Sequence, residues 1–217
     1  MGYMVNLSLK GREALVVGGG EIARRKALDL LAAKAKVTLV APRICEGIAK
    51  LAEQQQIRVH QRPYRSQDIG ASFVVVAATN VNEVNVMVYN DATARNVLVN
   101  VVDVPALCTF IVPATVSRGD LTIAISTDGA CPSLASILRE EFQGRYGPEY
   151  GRLVRLFRDL RNQMIALAWE GPLIRAKLAE IYRDDVIELI ASGDEGALEE
   201  FVVSRLGPGI PWFGESK

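Results

Sequence analysis

Residues 14–23 read ALVVGGGEIA, a short apolar run that meets three consecutive glycines and passes directly into helix-forming residues. The spacing Gly18-x-Gly20-x-x-Ala23 is the dinucleotide-binding fingerprint, met here in a strand–turn–helix context that gives it meaning. Gly18 permits the tight turn, Gly20 lets backbone approach a pyrophosphate, and Ala23 lets the helix pack close to the sheet. The helix start adds unpaired N–H groups and the positive end of a dipole. A nucleotide cofactor is therefore expected over Gly18, Gly19, Gly20, Glu21 and Ile22.

Outward from this stretch the first half alternates two periodicities. Ala14–Val17, Lys36–Ala41, Ile57–His60, Ser72–Ala78 and Val97–Val101 are short runs rich in β-branched residues, as buried parallel strands require. Helical patterns fill the gaps near Glu21–Ala33, Cys45–Gln55 and Asn82–Arg95. Such alternation predicts an α/β, Rossmann-like doubly wound parallel sheet, with ligand residues just beyond the strand C-termini. After Pro105 the rhythm changes. Thr109–Val112 and Leu121–Ser126 read as strands of another kind, joined through Ala114–Ser117 and an Arg118-Gly119-Asp120 turn. A helix follows Pro132 with Leu134, Ile137, Leu138 and Phe142 on one face, an element suited to packing against a second copy of itself. From Gly151 the pattern is helical: Leu153, Leu156, Phe157, Leu160, Met164 and Leu167 form a stripe. Gly171-Pro172 and Ser192-Gly193 punctuate the rest, and Asp194 is placed as an N-cap.

With 25 basic and 25 acidic side chains in 217 residues, nothing global steers the chain toward nucleic acid or an anionic membrane. The scattered Cys45, Cys108 and Cys131 argue for a reducing compartment, and a single histidine, His60, argues against a histidine metal site. No signal-peptide pattern or membrane-length apolar run is present, so a cytoplasmic location is expected.

Several residues invite chemical roles. Many such folds place an acid about 20 residues beyond the glycines to hold the ribose 2′-OH. Here that strand ends Ala41-Pro42-Arg43. Arg43 either faces a 2′-phosphate, favouring NADP, or lies flat on adenine; both readings stand. Thr79 offers a hydroxyl to the cofactor or to the next helix. Asp103, just past an apolar strand, reads as a solvated loop residue or as a partly desolvated general base. The turn Ser126–Cys131 presents hydroxyls, Thr127 among them, at a helix start, where capping explains them equally well. Cys131 reads as a low-pKa thiol or as a small packing residue.

Taken in order, LVVGGGEIARRKALDLL (15–31), VTLVAP (37–42), AATNVNEVN (77–85), VNVVDVPALCTFIVPA (99–114) and RGDLTIAISTDGACPSLA (118–135) resemble the precorrin-2 dehydrogenase and sirohydrochlorin ferrochelatase family. The resemblance implies a dinucleotide-binding domain at residues 1–112, a dimerisation domain at 113–147 and a helical domain at 148–206, with 207–217 as a tail expected to be mobile. It implies a homodimer that oxidises precorrin-2 to sirohydrochlorin with NAD, some members also inserting ferrous iron. Carried over residue by residue, the cofactor loop falls on Gly18–Ile22, the adenosine contact on Pro42 and Arg43, and the nicotinamide side on Thr79. The catalytic aspartate falls on Asp103 and the active-site hydroxyl on Thr127. Cys131 departs from the Ser usual before that proline. Arg118 and Arg139 are candidates for the substrate's carboxylates, with a solvated surface role as the plainer reading. Two other functions fit the same pattern: an oxidoreductase of another small metabolite, and a nucleotide-sensing regulatory module.

Overall fold

The structure is a computed structural model and describes residues 2–183 and 186–207, so the expected tail beyond Gly207 lies outside the described residues. The chain divides into two compact units between Val112 and Pro113.

The first unit is built on five parallel strands: β1 (Glu13–Val17), β2 (Lys36–Val40), β3 (Arg58–His60), β4 (Val74–Ala77) and β5 (Leu98–Val101). They lie in the order β3-β2-β1-β4-β5. The order reverses between β1 and β4, which puts the switch point of the sheet at the glycine turn. Helix α1 (Glu21–Ala32) turns Ala23, Ala27 and Leu30 inward, and α2 (Glu46–Glu53) turns Ile48 and Leu51. With Ala14, Val16, Val37 and Leu39 these fill one face of the sheet. Leu15, Val17, Val75 and Val99 fill the other with Val88 and Ala92 of α3 (Asn82–Ala94). The crossover from β3 to β4 contains only a short 3-10 turn, Ser66–Ile69, where a full helix is usual. Asp68 holds that turn: its carboxylate accepts both Arg62 Nη groups, at 2.8 and 2.6 Å, and the Arg65 amide at 2.8 Å. Arg62 keeps the Asp68 carboxyl below the ordinary range.

Thr109–Val112, expected as a strand, is not one. Thr109 lies beside β5 and ends the pairing there: its amide donates to the Val99 carbonyl at 2.8 Å, its Oγ1 accepts the Val99 amide at 2.8 Å, and Asn100 Nδ2 donates to the Phe110 carbonyl at 3.0 Å. The strand is displaced to β6 (Ala114–Arg118), the segment expected to be a connector, which pairs antiparallel with β7 (Leu121–Ile125). The Thr115-Val116 pair was the available signal.

The second unit begins with this hairpin and α4 (Pro132–Arg145), followed by α5 (Glu149–Ala166), α6 (Gly171–Arg183), α7 (Val186–Ser192) and α8 (Glu195–Leu206). Gly171-Pro172 opens α6, where a proline's missing N–H costs nothing, and Asp194 caps α8 by accepting from the Ala197 amide. Leu153, Leu160 and Met164 of α5 are buried as the stripe requires, but Leu167 lies past the helix end and is exposed.

Four helices end in the same way. After α1, α2, α3 and α5 the chain reverses through Lys34, Gln55, Asn96 and Ala168, all with left-handed φ between 54° and 62°. The amides at 168 and 169 bond back to Ile165 and Met164 carbonyls at 2.9 Å each, the Schellman pattern. Alanine carries a Cβ that costs energy in that conformation, and it has no polar side chain to offset the cost. Ala168→Gly should therefore stabilise the protein by about 1 kcal/mol in denaturant unfolding. Asp68→Asn should lower Tm at pH 7. Because Asp68 titrates low when folded, its contribution is complete above the unfolded value near pH 4, so the gap to wild type should close as pH falls below about 4.

Candidate functional site

The three glycines are glycines for three different reasons. Gly18 sits at φ +136°, and a Cβ there would lie 2.2 Å from the Ala78 carbonyl oxygen at the end of β4. Gly19 runs beneath the loop after β2: a Cβ would fall 1.8 Å from the Arg43 carbonyl oxygen, while the Gly19 carbonyl accepts the Cys45 amide at 2.8 Å. Gly20 has nothing within 4 Å of where its Cβ would be. It is the N-cap of α1 at an ordinary φ of −89°, and no side chain caps that helix. Backbone closure accounts for Gly18 and Gly19, and open space in front of uncapped helical amides accounts for Gly20. That cradle fits a pyrophosphate. Ala23, fully buried, holds α1 against the sheet.

Pro42 and Arg43 are exposed at the end of β2. Among the described residues Arg43 has no ion-pair partner, and no carboxylate stands at the end of that strand. Glu21, the first residue of α1, accepts from Arg24 Nε at 2.6 Å. Arg24, with help from the Cys45 thiol, holds the Glu21 carboxyl below its usual range. The Arg24 stem lies over Gly47 of α2, where a Cβ would meet its Cδ at 2.3 Å.

The next two strand ends bring Thr79 and Asp103 to the same edge of the sheet. The Thr79 hydroxyl accepts the Val81 amide at 3.1 Å and contacts Asn85 Oδ1 at 3.0 Å, while Asn85 Nδ2 donates to the Thr79 carbonyl at 3.0 Å. Thr79 and the buried Asn85 thus build the turn into α3. Asp103 has φ +60°, in a turn closed by the Val104 amide on the Val101 carbonyl at 3.2 Å. It is exposed, which agrees with the solvated-loop reading of its surroundings and not with the partly desolvated one, because the turn carries it clear of the unit's own apolar core. Sequence reasoning missed the group that holds this turn. Cys108 Sγ accepts the Val101 amide and lies 3.3 Å from both the Val101 and Val104 carbonyls, bracketing Asp103. Burial pushes that thiol's pKa up.

In the second unit, Thr127 Oγ1 accepts the Cys131 amide at 3.1 Å, so the hydroxyl shapes the turn into α4. Arg118 is committed to structure: its guanidinium donates to the carbonyls of Tyr146, Gln143 and Ser117 at 2.8, 3.0 and 3.0 Å, fastening the hairpin to the end of α4. Arg139 keeps Nε buried without a hydrogen-bond partner and places Nη2 3.5 Å from Glu140. Among the described residues no cluster of three or more His, Cys, Asp and Glu is placed to hold a metal, and no helix is long and apolar enough to cross a membrane.

Residues 5–114 match the family model described as putative NAD(P)-binding, and residues 118–145 match the sirohaem biosynthesis protein central model. The solved structure of SirC, precorrin-2 dehydrogenase, is similar with a TM-score of 0.76 and 32% identity, covering 94% of this chain and 98% of that one. This chain belongs to the precorrin-2 dehydrogenase family. Its curated relatives include siroheme synthases of Thioalkalivibrio sulfidiphilus, 36% identical over 208 residues, and Methylobacillus flagellatus, 38% identical over 191. These alignments cover 96% and 88% of this chain but 42% and 41% of the relatives, so the chain spans less than half their length. The match to the putative NAD(P)-binding model supports a nicotinamide dinucleotide as cofactor.

The glycines separate fold from binding. Gly18→Ala should lower Tm markedly because its Cβ meets backbone. Gly20→Val should leave Tm nearly unchanged while weakening NAD+ binding about ten-fold or more by calorimetry.

Proposed function

We propose that this protein oxidises precorrin-2 to sirohydrochlorin, with NAD as hydride acceptor. One placement supports the reading most directly: Asp103 leaves β5 on the edge of the sheet from which the glycine turn leaves β1, with β4 between them. Two strand spacings, about 10 Å, separate those ends. That gap suits a carboxylate facing the reactive end of a dinucleotide whose pyrophosphate sits on the turn. The likeness to SirC over nearly its whole length points to the same substrate.

In this reading Gly18, Gly19, Gly20, Glu21 and Ile22 hold the pyrophosphate through main-chain amides, and the Pro42-Arg43 loop receives the adenosine with Arg43 flat on the base. Thr79 marks the nicotinamide side, its hydroxyl organising the strand end. Bound there, the nicotinamide supplies an acceptor for the two electrons and one hydrogen that leave as hydride. The accompanying proton needs a base. Asp103, presented by a turn that Cys108 pins, accepts it, so carbon loses hydride and proton and the macrocycle gains a double bond. Thr127 orients the substrate through its hydroxyl, and Arg139 meets a peripheral carboxylate. Ferrous iron, where it is handled, is a further substrate. We assign the protein to the cytoplasm and to a homodimer; exposed Leu134 and Ile137 on α4 support the second copy. The second unit divides, in this reading, into the dimerisation segment 113–147 and the helical segment 148–206.

Asp103→Asn keeps the left-handed backbone and removes the base. Its kcat for precorrin-2 should fall about 100-fold or more while the NAD+ Kd stays within about two-fold. Unchanged turnover in that variant would remove Asp103 from catalysis. Absence of the sirohydrochlorin spectrum with wild-type protein would remove the substrate.

A further inference from the structure

An anion occupies the first position of the helix that should receive a pyrophosphate. Glu21 is residue one of α1, and the open face at Gly20 adjoins it. A carboxylate at a helix N-terminus is favourable while nothing else is bound. A pyrophosphate placed on the same amides competes with it for the same positive end, and the two like charges repel.

Arg24 is built to offset that repulsion. It stands one turn along the helix, its Nε lies 2.6 Å from Glu21 Oε2, and both side chains are partly exposed, with 37% and 67% of their surfaces accessible. Its direction is set by packing as well as charge: the stem runs across Gly47 of α2, a position where any side chain would collide with it. Glu21 in turn leans toward Cys45, the N-cap of α2, whose thiol helps keep the carboxyl ionised. The glycine turn, the start of α1 and the start of α2 are thus joined around one ion pair. Arg43, by contrast, has no acid to neutralise among the described residues.

We propose that Arg24 is a positioning residue for the cofactor: it draws the Glu21 carboxylate aside and masks its charge, so that the helix terminus stays receptive to the dinucleotide pyrophosphate. The inference rests on the assignment of the glycine turn as the cofactor site. Glu21 supplies helix stability in the free protein, and Arg24 keeps that stabilisation from opposing the ligand.

The test is a double-mutant cycle on the full chain, read by calorimetric binding of NAD+ and of ADP-ribose, which shares the pyrophosphate but lacks nicotinamide. Arg24→Met keeps the stem over Gly47 and should weaken both ligands about five-fold at low salt, the loss shrinking as salt screens it. Glu21→Gln should bind both at least as tightly as wild type, with a slightly lower Tm. The double variant should return to within about two-fold of wild type, a rescue that a merely structural arginine would not give. A double variant as weak as Arg24→Met would overturn the proposal and make Arg24 a direct ligand contact. An unaffected Arg24→Met would overturn it outright. Wild-type protein that binds neither ligand would instead remove the cofactor site itself.

Discussion

Backbone against backbone, with no side chain between, is the contact on which the first unit depends. Gly18 touches the end of β4 and Gly19 touches the loop after β2, each closer than any Cβ allows. Those two contacts draw three strand ends together at the point where the strand order reverses. The Gly18 amide on the Val40 carbonyl at 3.0 Å and the Ala78 amide on Val17 at 2.8 Å complete the closure. The third glycine then lies in front of it, free of neighbours, with a helix start beside it. Fold and proposed cofactor site are therefore consequences of one turn.

Much of this was legible in the residues because the physics is local. Five β-branched runs, with helical periods in three of the four gaps, specify a parallel sheet, since each strand must be apolar on both faces and each crossover needs a dozen or more residues. Gly18 and Ala23 declare their structural roles through spacing within a strand–turn–helix context. The Asp194 cap reads directly from its place before a helical run. Gly19 was opaque, because its constraint comes from the Arg43 carbonyl, 24 residues away in sequence.

What could not be read was where a side chain would replace or borrow a main-chain partner. Thr109 looks like a strand residue and acts as the end of a ladder, because its hydroxyl takes the bond that a next strand residue's carbonyl would have taken. Arg118 looks like a surface cation, yet its charge closes the end of a helix that begins 14 residues later. Cys108 reads as one of three unremarkable thiols, although it holds the carbonyls on either side of Asp103. Each is a pairing across the fold, invisible to periodicity.

The left-handed turn at 103 has an evolutionary corollary. A backbone at φ +60° is comfortable for glycine, asparagine and aspartate and resists most other residues. Glutamate, the other carboxylate, meets the conformational penalty before its reach matters. Drift at this position is thus biased by main-chain geometry toward glycine, asparagine and aspartate, of which a single one keeps an acid. Lineages that abandon the proposed chemistry should favour asparagine or glycine there, with the surrounding loop otherwise intact.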